Sequence, residues 1–290
     1  MTRRWLFAIV CIIVCAPFSP TSAKSGKHRG IYFEAKGKGP TVILVHGGQM
    51  DRRMWDFQFD LLARDYHAIR YDIRGFGKSD VPSRPYSYAD DQKSLMKHLE
   101  VQRASIVGLS LGAAIATEFA IVYSESVQAL VLACPGLGGF KFEDKAKDLR
   151  AIGDAAREED YDKVAELWLR NPYMSVAMEH SDLRQRLRAL SRDNAPCWLN
   201  NPLLLRRLTP PAAERLREVR APTLVIGGGR DVSDIHKIVA KLSAEIPGAQ
   251  QHVLNDCGHI APMENPEAFN KLLLEFLMLV RIEVTRSNSK

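Results

Sequence analysis

The stretch IVGLSLGA, residues 106–113, decides how the rest of the chain is interpreted. An apolar run typical of a buried strand enters Gly108-x-Ser110-x-Gly112, and an alanine-rich run typical of a helix follows at once. A turn from strand to helix within about two residues strains the backbone at Ser110 and exposes its hydroxyl at the end of a sheet. The start of the helix also leaves the backbone N–H of Leu111 free for an oxyanion. Ser110 is the candidate nucleophile; the alternative is a glycine-bounded turn whose serine has no chemical role.

The candidate base is His259. A serine hydroxyl is a poor nucleophile unless a base takes its proton and an acid orients that base. In open α/β sheets such groups meet at the carboxyl ends of the strands, so the search is limited to residues that directly follow one. Of eight histidines, only His46 and His259 clearly do so. His259 follows the last predicted strand, and Gly258 lets the backbone present its ring. His46 is expected to organise its own loop by hydrogen bonding.

The candidate acid is Asp231, which follows the predicted strand 223–226 at a place where a carboxylate can reach an imidazole. Asp234 is the alternative, although it also suits the N-cap of the next helix. The chain order Ser, Asp, His is the order expected when a serine turn of this kind is completed by two later loops of the same sheet.

A second oxyanion donor is expected from the loop after the apolar strand 41–45. His46-Gly47-Gly48 is a backbone suited to close approach. We assign the donor role to the N–H of Gly48, with Gln49 as the alternative. Three tryptophans are candidate walls of a substrate pocket, although each is also compatible with simple packing: Trp55, Trp168 and Trp198.

Strand and helix signals alternate along most of the chain, which predicts a mostly parallel, doubly wound α/β sheet. From about residue 140 to 213, strand signals vanish and charged amphipathic helices punctuated by prolines take over. We therefore predict a core in two parts, 24–139 and 214–290, with an inserted helical cap over 140–213. Residues 281–290 are expected to form a frayed polar tail.

The N-terminus predicts an export signal. Residues 1–4 carry Arg3 and Arg4, the next 14 residues are apolar, and Thr21-Ser22-Ala23 offers a cleavage site. This apolar run is too short for a comfortable membrane span. We expect residues 1–23 to be removed, leaving a secreted or periplasmic protein without a stable membrane span. An uncleaved anchor and a lipid on Cys15 are the alternatives.

Charge and cysteine content limit the other classes of function. The formal net charge of +6 is dispersed, without an aromatic-studded basic run, so a nucleic-acid partner is not expected. Cys134, Cys197 and Cys257 would remain after cleavage; one disulfide is possible, but no zinc spacing is present. The segment 75–79, Gly-Phe-Gly-Lys-Ser, ends like a phosphate loop but has Asp72 where that motif needs glycine. It is interpreted as scaffold, in which Asp72 is expected to pair with Arg74 near the site.

These motifs together resemble the α/β-hydrolase fold family, in particular its capped esterases, lactonases and C–C hydrolases. The matching pieces lie between about residues 30 and 280: Val45–Gly48, Tyr71–Ser79, Gly108–Gly112, Gly229–Asp231 and Gly258-His259. The resemblance implies Ser110 as nucleophile, His259 as base and Asp231 as acid, in agreement with the residue-level interpretation. Members with an aspartate nucleophile are disfavoured because this turn carries serine. Ala113 stands where many relatives have another glycine.

The expected function is hydrolysis of a small, mostly apolar carboxylic ester or lactone through an acyl-enzyme. The same three residues could instead support C–C bond hydrolysis, dehydration or perhydrolysis, and a non-catalytic ligand-binding homologue is a further alternative. No metal or organic cofactor is expected. The predicted cap carries no motif that identifies the substrate.

Overall fold

The computed structural model describes residues 23–143 and 147–288. Except for Ala23, the predicted export signal lies outside the described residues. Within them, eight strands form one sheet in the order β1-β2-β4-β3-β5-β6-β7-β8. The β1–β2 and β2–β4 pairs are antiparallel and all other pairs are parallel. The prediction of a mostly parallel α/β sheet is therefore confirmed.

The strands are β1 (Lys24–His28), β2 (Ile31–Lys36), β3 (Thr41–Val45), β4 (His67–Tyr71), β5 (Ala104–Leu109), β6 (Val127–Ala133), β7 (Thr223–Gly228) and β8 (Gln250–Leu254). The helices are α1 (Asp56–Leu62), α2 (Tyr88–His98), α3 (Leu111–Val122), α4 (Leu149–Arg157), α5 (Tyr161–Leu169), α6 (Ser181–Asp193), α7 (Ser233–Glu245), α8 (Ala261–Glu264) and α9 (Pro266–Asn288). Short 3-10 turns connect several of them.

The central strands form the core of the molecule. Every residue of β5 and of β7 is buried, as is all of β3 except Thr41. Helices on both faces of the sheet explain why these strands are continuous apolar runs rather than alternating ones. Because the parallel strands end at one edge, the loops after β3, β5, β7 and β8 meet there, and this edge is called the rim.

Two elements differ from the sequence prediction. The polar segment Lys24–His28 forms edge strand β1, which is held by backbone pairing with β2 rather than by burial. Helix α9 continues to Asn288 instead of fraying after residue 280: the helical backbone extends beyond Val280, the last residue that packs on the core.

Between β6 and β7, the described part of residues 140–213 contains α4, α5, α6 and several 3-10 turns, and it contributes no strand to the sheet. This region is called the cap. It contains a small apolar cluster of its own, formed by Ile152, Ala155, Ala156, Val164 and Ala195. The cap lies over the rim, as the contacts below show. No helix among residues 23–143 and 147–288 is long and apolar enough to cross a membrane.

Candidate active site

Ser110 stands between the last residue of β5 and the first residue of α3, with φ 51° and ψ −112°. This positive φ is strained for a residue with a side chain, and the neighbouring packing maintains it. A Cβ added at Gly112 would lie 2.2 Å from the carbonyl oxygen of Val45, so only glycine fits beside β3. The carbonyl oxygen of Ser110 accepts a hydrogen bond from the N–H of Gly136 at 3.0 Å. The turn therefore holds the Ser110 hydroxyl at the rim.

The structure brings the predicted nucleophile, base and acid into one chain of hydrogen bonds. His259 Nε2 lies 2.9 Å from Ser110 Oγ, and His259 Nδ1 lies 2.8 Å from Asp231 Oδ2. The other oxygen of Asp231 accepts the N–H of Val232 at 2.8 Å. Because a carboxylate only accepts, Nδ1 donates to it, which leaves Nε2 to take the serine proton. The Asp231 side chain is fully buried.

The alternative acid, Asp234, does not reach this imidazole. Its carboxylate accepts the backbone N–H of Glu143 at 2.5 Å and lies 3.4 Å from Lys237 Nζ. Asp234 therefore fixes the beginning of the cap against α7. Of the two candidate acids, Asp231 is the one in contact with His259.

The two predicted oxyanion donors lie in the loop after β3 and at the first residue of α3. Gly48 and Leu111 line the same cavity as Ser110 and His259. The N–H of Gly47 points to Met54 Sδ at 3.4 Å, whereas no atom of the described residues accepts the N–H of Gly48 or Leu111. The alternative, Gln49, is not part of the cavity lining.

His46 organises this loop, as the sequence predicts. It is fully buried, its Nδ1–H donates to Gly47 O at 2.8 Å, and its Nε2 accepts the N–H of Ile73 at 2.9 Å. Burial lowers the pKa of His46, so the ring is neutral and can both donate and accept. The expected pairing of Asp72 with Arg74 does not occur, because Asp72 binds Arg52 instead.

A cavity of about 520 Å³ opens over Ser110. Its lining is almost entirely apolar: Gly47, Gly48, Met50, Leu109, Leu111, Gly136, Phe142, Leu149, Trp168, Tyr173, Met174 and Ile235 surround Ser110 and His259. Among the described residues, no Lys, Arg, Asp or Glu side chain is part of it. This size and polarity are typical of a site for a small organic molecule.

Of the three predicted tryptophans, only Trp168 lines the cavity. Trp198 stands behind it, with ring centroids 5.8 Å apart. Trp55 does not form a pocket wall: it is completely buried in the core, where its ring packs against Phe269 at 6.1 Å. The sequence did not indicate the cap residues Tyr173 and Met174, because no motif marks them.

The cap contacts the base directly. The ring of Tyr173 lies edge-on to the His259 ring, with centroids 4.9 Å apart. Next to the acid, Arg230 forms a two-point ion pair with Glu179 of the cap, at 2.9 and 2.6 Å. The cap thus covers both the base and the loop that carries the acid.

The remaining thiols and metal-ligand candidates do not form a second site of known type. Cys134, Cys197 and Cys257 are buried and unpaired. Burial raises the pKa of Cys197 to about 12 and that of Cys257 to about 11, so both thiols stay protonated. Within the described ranges, no group of three or more His, Cys, Asp or Glu could hold a metal ion.

Comparisons with known proteins agree with this architecture. Residues 42–272 match the sequence profile of the alpha/beta hydrolase family. The 2-hydroxy-6-oxo-6-phenylhexa-2,4-dienoate hydrolase of Comamonas testosteroni is 31% identical over 276 residues, which cover 90% of this chain and 95% of that protein.

Two solved structures are also similar. A thermophilic esterase from Thermogutta terrifontis superposes with a TM-score of 0.72 at 27% identity, over 89% of this chain and 99% of its own. The enol-lactonase of Burkholderia xenovorans LB400 gives a TM-score of 0.72 at 22% identity, over 88% of this chain and 100% of its own. The fold, the matched profile and the identity to a curated relative lead to one conclusion: the chain belongs to the alpha/beta hydrolase family.

Proposed function

We propose that this hydrolase cleaves a small, neutral, mostly apolar carboxylic ester or lactone. One observation carries the proposal: the hydrogen-bonded series Ser110, His259 and Asp231 ends in a cavity without a charged wall among the described residues. The series supplies an activated nucleophile, and the cavity selects the substrate.

In the proposed reaction, Ser110 Oγ attacks the carbonyl carbon while His259 Nε2 takes the hydroxyl proton. The N–H groups of Gly48 and Leu111 bind the oxyanion, and Asp231 stabilises the imidazolium. The bond to the alcohol oxygen then breaks, and His259 returns the proton to the leaving alcohol. Water, deprotonated by His259, attacks the acyl-Ser110 ester, releasing the acid and restoring the serine.

The lining of the cavity favours a neutral substrate. A carboxylate moved from water into an apolar site without a partner loses several kcal/mol of hydration. The described lining offers no guanidinium or ammonium group to compensate for that loss. Neutral esters and lactones do not incur this cost, and their apolar groups are stabilised by contact with Met50, Trp168 and Met174.

C–C bond hydrolysis is the second candidate, because the similar protein from Comamonas testosteroni is a hydrolase of a dienoate. The same nucleophile, base and oxyanion donors can act on a ketone carbonyl. A dienoate, however, carries a carboxylate, which the described cavity does not pair. We therefore place this reaction after ester and lactone hydrolysis.

A substrate panel tests the proposal. We expect the purified protein to hydrolyse p-nitrophenyl butyrate and an uncharged lactone with higher kcat/KM than 2-hydroxy-6-oxo-6-phenylhexa-2,4-dienoate. Ser110→Ala should lose turnover and labelling by a fluorophosphonate, while Ser83→Ala, an exposed control, should keep both. Preference for the dienoate would contradict the ester proposal. A wild-type protein that neither turns over nor is labelled at Ser110 would indicate a ligand-binding homologue.

Export is a separate proposal and depends only on residues 1–23. If the segment is a signal, the protein recovered from outside the cytoplasm should begin after Ala23, as measured by intact mass. A protein that keeps Met1 would contradict cleavage.

A further inference from the structure

A second buried carboxylate lies beside the base. Glu264, the last residue of α8, is only 9% exposed. Its side chain turns back toward the preceding loop, where Oε2 accepts the N–H of Gly258 and Oε1 accepts the N–H of Ile260 at 3.2 Å. The two N–H groups belong to the residues on either side of His259. Glu264 therefore binds the backbone on both sides of the base.

Burying a carboxylate costs desolvation free energy, and accepting two backbone N–H groups does not by itself require a charged group. No Lys or Arg of the described residues forms an ion pair with Glu264. Burial raises the pKa of Glu264 and the nearby Asp231 charge adds to this, while the two backbone hydrogen bonds and His259 act in the opposite direction. A neutral acceptor would bind one of these N–H groups without a desolvated charge.

We propose that Glu264 is the positioning residue of the catalytic base: it fixes the backbone on both sides of His259 and places a second negative charge beside the imidazolium. The proposal rests on the role of His259 in the proposed function. Holding both flanking peptide groups restricts the ring to the narrow gap between Ser110 and Asp231. The negative charge of Glu264 stabilises the His259 imidazolium, and because this cation forms only during the reaction, the charge favours the transition state over the resting enzyme.

Other charged and titratable groups surround Glu264. Asp231 and Arg230 lie on the loop after β7, Cys134 follows β6, and Cys257 precedes the base on its own loop. Arg230 is exposed and already paired with Glu179 of the cap, so it does not neutralise the buried carboxylate. Both thiols have raised pKa values and remain neutral. Asp231, which contacts the His259 ring, and Glu264, which binds the N–H groups on either side of it, are thus the two carboxyl groups next to the base among the described residues.

The experiment compares Glu264→Ala and Glu264→Gln with Glu267→Gln, a control at an exposed glutamate three residues further along. Steady-state hydrolysis of p-nitrophenyl butyrate is measured as a function of pH. In Glu264→Ala we expect kcat to fall about 100-fold with KM little changed, because a small displacement of a catalytic group costs about this factor. Glu264→Gln should lose less, since its amide oxygen still accepts one of the two N–H groups.

The pH profile separates charge from simple support of the loop. Without the second anion, the imidazolium is less favoured, so the acidic limb of kcat/KM should move to lower pH in both Glu264 variants. Glu267→Gln should keep the wild-type profile. An unmoved limb in Glu264→Gln, or a wild-type kcat in Glu264→Ala, would overturn the proposal.

Amide hydrogen exchange tests the geometry without catalysis. In the wild type, the N–H groups of Gly258 and Ile260 should exchange slowly, and Glu264→Ala should expose both. If the wild type is inactive on all esters but exchange changes in this way, the proposed function fails and the positioning of the His259 backbone stands. If Glu264→Ala leaves the exchange of both amides unchanged, the positioning proposal fails even when the enzyme is active.

Discussion

The rim of the sheet and the cap are built by different physical means. At the rim, strand ends and a strained turn place the side chains: His259 Nε2 lies 2.9 Å from Ser110 Oγ, and His259 Nδ1 lies 2.8 Å from Asp231 Oδ2. In the cap, short helices are held to the core by side-chain contacts, several of them exposed, such as the Arg230–Glu179 pair. We infer that the rim carries the chemistry and that the cap, which forms part of the cavity wall, contributes to the choice of substrate.

The first prediction tests the chemistry of the rim with two aspartates three residues apart. Asp231→Asn should lower kcat by about 10⁴-fold, because an amide no longer holds the base in the tautomer that accepts the serine proton. Asp234→Asn, the comparison variant, weakens the contacts of α7 with Glu143 of the cap and with Lys237, and it leaves the His259–Asp231 contact in place. Kinetics with p-nitrophenyl butyrate measure both. Equal losses in the two variants would contradict the assignment of Asp231 as the acid.

Sequence predicted the rim better than the cap for a physical reason. The conformation of Ser110 depends on local glycines, and the ends of parallel strands converge whatever the surface sequence, so the positions of Ser110 and His259 follow from a strand–loop pattern. The choice between Asp231, in the loop after β7, and Asp234, in the first turn of α7, depends on the direction of each side chain, which the pattern left open. Glu264 was missed because it acts through backbone N–H groups, which leave no motif.

The pocket walls show the limit of the same reasoning. Trp168, on α5, lines the cavity, while Trp55, equally aromatic and close in sequence to the oxyanion loop, is buried in the core. Hydrophobicity alone does not distinguish a core position from a pocket position. The arrangement of the cap helices depends on contacts between residues far apart in sequence, such as Asn194 with Asp51 at 2.9 Å. Local sequence patterns do not predict such contacts.

The second prediction changes the cap and leaves the rim intact. Trp168→Ala should enlarge the cavity and shift the preferred acyl chain of p-nitrophenyl esters to a greater length. The ratio of kcat/KM between long and short chains should change by about tenfold or more, as expected for differences of a methylene or more in an apolar pocket. The rate of fluorophosphonate labelling should stay near that of the wild type. An unchanged chain-length preference would remove Trp168 from the substrate site.

The third prediction concerns the buried junction of cap and rim. Burial alone would raise the pKa of Asp51, but hydrogen bonds from Arg53 and Asn194 outweigh it and lower the pKa to about 2. A carboxyl whose pKa is lower in the folded protein contributes stability above its unfolded value, 3.8, and loses it as the pH falls toward 2. As the pH falls over this range, the free energy of unfolding of Asp51→Asn should therefore decrease by about 2 kcal/mol less than that of the wild type.

Thermal unfolding at a series of pH values measures this difference. Asp60→Asn, at an exposed aspartate, serves as the control and should follow the wild-type curve. Parallel curves for wild type and Asp51→Asn would show that the junction does not depend on this charge.

The smallest effect is expected at the exposed contact between the two regions. The Arg230–Glu179 pair has two short hydrogen bonds, but both side chains are about half exposed, so solvent and salt screen their attraction. Glu179→Gln should change the unfolding temperature little, and the difference should disappear at high salt. Because Arg230 adjoins Asp231, kcat at low salt is the more sensitive measurement. A large, salt-independent loss of kcat would mean that the cap helps to hold the acid, and that chemistry and selection are not separated between rim and cap.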